Sequence, residues 1–122
     1  MEFVFNIDPV AKGRPRFTRG GRAYTPERTR KFTNELIAMM QWQVGEPLEG
    51  ALKVEIVFYM RRPKSVKRKY PTVKPDLDNL EKALYDAGNG ILWNDDSQIV
   101  THTVSKYYAD SGSIYMKVTK LK

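Results

Sequence analysis

Apolar and polar residues alternate in EFVFNI (residues 2–7), where Phe3, Phe5 and Ile7 share one face. They alternate again in LKVEIVFYM (52–60), where Leu52, Val54, Ile56, Phe58 and Met60 do so. Both stretches read as strands with one buried face, because successive side chains on a strand point to opposite sides. IVTHTVSKYY and SIYMKVTKL read as two further strands, and ADSG between them suggests a hairpin. Helical spacing governs the intervening segments. Phe32, Leu36, Ile37, Met40 and Val44 form one stripe, with Met39 and Trp42 beside it. Thr25-Pro26-Glu27 supplies an N-cap, a first-position proline and a first-turn acid, and Gly45 and Pro47 end that helix near Val44. Leu80, Ala83, Leu84 and Ala87 form the second stripe. Asp78 is its expected N-cap, Glu81 the capping-box partner, and Gly88-Asn89-Gly90 the stop. The elements run β-α-β-α-β-β.

Charge is distributed unevenly over this pattern. The 122 residues carry 21 bases and 14 acids, a formal net charge of +7. Between Asp76 and Asp96, however, stand six acids (Asp76, Asp78, Glu81, Asp86, Asp95, Asp96) and a single base, Lys82. Outside that segment the balance is 20 bases to 8 acids. Lys12, Arg14, Arg16, Arg19 and Arg22 lie in a Gly- and Pro-rich stretch (9–26) that reads as an irregular, phosphate-contacting loop. Arg28, Arg30 and Lys31 extend it. Arg61, Arg62, Lys64, Lys67, Arg68, Lys69 and Lys74 form a second acid-free run that leads directly into the acids.

An acidic island in a basic chain needs a counter-charge, since crowded carboxylates repel and unpaired ones are costly to bury. A hard divalent cation with oxygen ligands, set within a surface that binds a polyanion, supplies one. The second helix and its return loop would bring Asp95 or Asp96 back beside Asp76 and Asp78, with Lys82 one turn from Asp78. Each residue also has a local explanation: Asp78 as a cap, Lys82 as a salt-bridge partner of Asp78 and Asp86, Asp95–Asp96 as a turn. None of these explains why the acids gather in one segment. An EF-hand loop is excluded, because Leu80 stands where a ligand is required and Glu81 where a glycine is. A phosphatase-type Asp nucleophile is excluded too, since YPTVKP rather than a buried strand precedes Asp76.

Composition sets the remaining bounds. The length suits one domain, residues 1–122. A pI near 9.7 points to an anionic partner. No apolar run approaches a membrane span, and MEFVFNIDPV lacks the pattern of a signal peptide, so a cytoplasmic location is expected. Without cysteine there is neither a disulfide framework nor a thiolate zinc site. His102 is a lone histidine in a strand and reads as structural. Tyr107 and Tyr108 read as ordinary strand aromatics rather than nucleophiles.

KPDLDN, LEK, YDAGNG and WNDDSQI, with the spacing between them, and the AKGRPR and YTP segments nearer the start, resemble the RusA-type Holliday junction resolvases of bacteria and their phages. The resemblance covers most of the chain. It implies a small α+β domain, a mixed sheet of about four strands with two helices, forming a homodimer that cuts four-way DNA junctions with Mg²⁺. The family's metal-binding acids fall on Asp76, Asp78 and Asp96, and its catalytic lysine on Lys82. Asp95 is then either an outer residue orienting these ligands or a turn residue. The basic stretches would bind backbone phosphates and sense junction shape. Two other readings remain, a non-catalytic DNA-binding module and a metal nuclease acting on other nucleic-acid structures.

Overall fold

The computed structural model describes residues 1–12, 16, 17, 20, 21, 23, 24 and 27–122. Arg14, Arg19, Arg22, the Arg16 side chain and the Thr25-Pro26 helix start expected from sequence lie outside the described residues. β1 (Glu2–Phe5) opens the fold, followed by two short strands, β2 (Arg16–Phe17) and β3 (Ala23–Tyr24). Then come α1 (Glu27–Gln43), β4 (Leu52–Arg61), α2 (Leu77–Gly88), a single 3₁₀ turn (Asp96–Gln98), β5 (Ile99–Ala109) and β6 (Ser113–Lys120). The expected order of two helices and four sheet strands is present. β2 and β3 add a two-stranded antiparallel ribbon, with Arg16 opposite Tyr24, where an irregular loop was expected.

The four long strands form a mixed sheet in the order β1-β6-β4-β5. β6 runs antiparallel to both β1 and β4, and β5 runs parallel to β4. The expected β5–β6 hairpin is therefore not formed, because β4 lies between its two arms. Four residue steps, from Ala109 to Ser113, reach about 13–14 Å, enough to pass over one strand and span two inter-strand spacings of about 4.8 Å. β4 and β6 take the two inner places, and β4 alternates cleanly: Leu52, Val54, Ile56 and Phe58 are all buried. Such a strand gains most when both of its edges are hydrogen-bonded and one face is covered. β5, mostly exposed or half-buried, lies at the edge.

The two helices pack on one face of the sheet. Phe32, Leu36 and Met40 of α1 and Leu80, Ala83, Leu84 and Ala87 of α2 join Phe3, Phe5, Ile114, Met116 and Val118 in one core. Ile37 and Val44 are only partly buried, and Trp42, on the far side of α1, is 92% exposed. β5 keeps register with β4 so that His102 stands beside Val54, Val104 beside Ile56 and Lys106 beside Phe58. Its even-numbered residues from 102 onward therefore share the helix-covered face of the sheet, next to α2.

Candidate active site

α2 begins two residues earlier than its apolar stripe suggested. Asp76, not Asp78, is the N-cap, and its carboxylate makes no capping hydrogen bond. The expected box between Asp78 and Glu81 does not form. Leu77 packs against the core with Leu80 and Leu84, and this docking sets where the helix starts. Asp78 then falls in the first turn, where the helix dipole favours a negative charge. Asp78, Glu81, Lys82 and Tyr85 follow at offsets of three, four and seven residues, a polar stripe alongside the apolar one.

The return loop forms the opposite wall. Gly88 is the last helical residue, and a Cβ there would meet the Trp93 ring at 3.0 Å. The positive φ of 80° falls instead on Gly90, whose N–H donates to the Trp93 carbonyl. Trp93 is fully buried and lies edge-on to Tyr85, with ring centres 5.6 Å apart. Its indole N–H donates to Asn89 Oδ1 at 2.7 Å, and the Asn89 amide donates to Asp96 Oδ2 at 3.3 Å.

Asp95 caps the 3₁₀ turn that carries Asp96. Hydrogen bonds from the Ser97 side chain first, and from its backbone N–H second, hold the Asp95 carboxyl below the usual range. Gln98 completes the turn. Its Oε1 accepts from the N–H groups of Asn94 and Asp95, while its Nε2 donates to the carbonyls of Leu48 and Gly50. Asp95 is thus a capping residue of the turn that presents Asp96.

Asp78, Lys82 and Asp96 thus line a single cavity of about 470 Å³, floored by β5 from Ile99 to His102. Asp76 is not among its lining residues. Three residues not anticipated as site residues are: Glu81, Tyr85 and His102. The first two were legible, since they share helical spacing with Asp78 and Lys82. His102 was not, because only the β4–β5 pairing brings it beside α2. Glu81 accepts from Tyr85 Oη at 2.7 Å and lies within hydrogen-bonding contact of His102 Nδ1. Burial foremost, then the hydrogen bond to Glu81 and the negative charges of Glu81 and Asp96, push the Tyr85 phenol well up. Among the described residues, no three acidic, His or Cys side chains are grouped to hold a metal ion by themselves. A larger depression of about 610 Å³, bordered by Asp8, Arg28, Lys31, Glu35 and Arg61, contains none of the clustered acids.

The basic residues divide by what they touch. Lys12 holds Asp86 at 2.6 Å, and Lys82 lies 3.6 Å from the other oxygen of Asp86. Lys82 is 60% exposed, so this pair is loose and worth little. Arg62 donates to the carbonyls of Val66, Arg68 and Lys69 and stacks over Tyr108 at 4.4 Å. It organises its own loop. Arg61 lies 3.5 Å from Asp8. Among the described residues, no ion pair engages Lys64, Lys67, Arg68, Lys69 or Lys74, and all five are exposed. Lys106, not foreseen from sequence, donates to the carbonyls of Val73 and Pro75 and ties this loop to β5 just ahead of Asp76.

A Bacillus subtilis (strain 168) protein named uncharacterized protein YqaN is 30% identical to this chain over 137 residues, covering 99% of this chain and 96% of that protein. The family model for endodeoxyribonuclease RusA matches residues 6–119, a span that takes in both walls of the cavity and the basic loop leading to it. The chain belongs to the RusA endodeoxyribonuclease family.

Proposed function

We propose that the protein is a Mg²⁺-dependent endonuclease that resolves four-way DNA junctions by paired symmetric nicks, as a homodimer, in recombination and repair. The observation that carries this reading is the meeting of Asp78 and Lys82, from α2, with Asp96, from the return loop, in one open cavity beside an exposed basic loop. The donor set fits the ion. Mg²⁺ is characteristically held by one or two carboxylates together with substrate phosphate oxygens and water, so a closed protein cage is not required. Asp78 and Asp96 would hold it from the cavity walls, with Asp76, whose carboxylate has no capping bond, as the third acid. Bound there, Mg²⁺ supplies Lewis-acid stabilisation of charge on the phosphoryl oxygens.

The chain's own residues do the rest. Lys82, loosely paired and exposed, directs an ammonium at the scissile phosphate and offsets its developing charge. Lys64, Lys67, Arg68, Lys69 and Lys74 contact flanking backbone phosphates, which position the duplex without reading its sequence. Arg62 supports them by holding the loop in shape. A four-way junction offers two equivalent strands, and a two-fold dimer presents two equivalent cavities to them.

A mobile four-way junction incubated with and without Mg²⁺, and read for symmetric nicks, tests the proposal. Nicks in both strands, resisting competition by linear duplex, are expected. Binding without Mg²⁺-dependent nicking would make the protein a non-catalytic DNA-binding module. Equal competition by linear duplex would make it a nuclease for other structures.

A further inference from the structure

Phosphate orientation and metal binding leave Glu81, Tyr85 and His102 of the cavity without a task. Glu81 is 14% exposed at its side chain and takes donors from two directions, the Tyr85 hydroxyl and His102 Nδ1. Burial and neighbouring negative charge keep Tyr85 protonated, so it is a fixed donor to Glu81. The carboxylate in turn fixes the orientation of the imidazole. With Nδ1 turned to Glu81, the other ring nitrogen, Nε2, lies on the opposite side of the ring. The His102 side chain is 52% exposed and lines the same cavity as Asp78, Lys82 and Asp96. Four charged or titratable groups share the cavity with it from α2 (Asp78, Glu81, Lys82, Tyr85) and one from the 3₁₀ turn (Asp96), while its neighbour on β4 is the apolar Val54.

We propose that His102 is the general acid of strand cleavage, with Glu81 as its positioning residue. This rests on the nuclease reading above. A deoxyribose oxygen expelled without a proton is a poor leaving group, and a positioned acid typically contributes about 10²–10⁴-fold. An imidazolium is a donor at both nitrogens, so it keeps its bond to Glu81 while offering the Nε2 proton. Water forms the new bond to phosphorus and gives up a proton to solvent. The bond from phosphorus to the leaving deoxyribose oxygen breaks, its electron pair stays on that oxygen, and the Nε2 proton joins it there. The products are a phosphomonoester and an alcohol, and the neutral ring regains a proton from water.

The test compares two junctions in single-turnover nicking with Mg²⁺. One is all-oxygen. The other has sulfur in place of the leaving bridging oxygen at the mapped nick site, because a thiolate departs without a proton. His102→Ala is expected to slow the oxygen substrate by roughly 10²-fold at unchanged half-saturating junction concentration, and to come within a few-fold of wild type on the sulfur substrate. Glu81→Gln, which keeps the shape but not the charge, is expected to show a smaller deficit with the same rescue. Lys82→Ala is expected to be slow on both substrates. His102→Asn retains a donor to Glu81 without a transferable proton, and carries the test if the alanine variant melts early. A wild-type rate for these His102 variants, or an equal deficit on both substrates, overturns the proposal and leaves the nuclease reading standing. A wild-type protein that nicks neither junction overturns both.

Discussion

Asp78 and Asp96 face one cavity from walls built on different principles. The α2 wall is periodic. Backbone hydrogen bonds and the apolar stripe hold the helix, and Asp78 and Lys82 project from its other side with few ties of their own. The return-loop wall has no such repeat, and side chains join a few backbone hydrogen bonds in setting its shape. Asn89 bridges Trp93 to Asp96, Asp95 caps the turn, and Gln98 anchors it to the carbonyls of Leu48 and Gly50. A regular element can present reactive groups at little structural cost. An irregular one uses polar side chains for structure as well as for chemistry. Mutations on the helical wall should therefore separate activity from stability, and mutations on the loop wall should couple them.

The largest effects belong to the two carboxylates themselves. Asp78→Asn and Asp96→Asn should each lower Mg²⁺-dependent nicking by roughly 10²–10³-fold, the loss expected for a group acting directly on transition-state charge. In EDTA both should bind a junction at least as tightly as wild type, since each removes a carboxylate–phosphate repulsion of about 1 kcal/mol in a wet site. Gel shift and nicking on the same preparation check this. Nicking retained by Asp96→Asn would remove the loop wall from the chemistry.

Lys82→Ala probes the helical wall. Activity should fall by roughly 10²-fold, while stability changes by less than about 1 kcal/mol, because the exposed pair with Asp86 is weak. A sharp drop in melting temperature with near-normal turnover would make Lys82 structural.

Gln98→Ala is the matching probe of the loop wall. It removes four hydrogen bonds and leaves two backbone carbonyls and two N–H groups to find solvent. A stability loss of about 2 kcal/mol is expected, measured by denaturant unfolding. Nicking should fall several-fold with it as Asp96 loses its support. Lost stability with full activity would show that Asp96 is held by other means.

Asp95 gives the smallest effect, visible only as a function of pH. Its carboxyl titrates lower in the folded protein than in the unfolded chain, so its stabilising contribution is present above the unfolded value and fades as pH falls through the folded one. The stability difference between wild type and Asp95→Asn should therefore be seen at neutral pH and shrink below about pH 4. A difference that persists at low pH would mean that the cap does not depend on the charge.

Much of this protein was legible before its fold was known. Local periodicity determined the order of the long elements and the buried face of each, because which side of a strand or helix is apolar is set by residues a few positions apart. Charge segregation marked the acid segment for the same reason, and Asp78, Lys82 and Asp96 do share a cavity. What the tertiary structure decided involves partners distant in sequence. ADSG reads as a hairpin turn, yet the competition of β4 for two hydrogen-bonding neighbours separates β5 from β6. Asp78 and Glu81 fit a capping box, yet docking of Leu77 moves the helix start and frees Glu81 for Tyr85 and His102. Arg62 is one base in a run of seven, and only the folded loop turns it inward onto three carbonyls and the Tyr108 ring. His102 carries no local signal, and the parallel pairing of β5 with β4 alone places it beside α2. Spacing along the chain encodes what a segment can bury; which segments meet depends on the free energy of the whole packed core, and the chemistry of the cavity depends on that meeting.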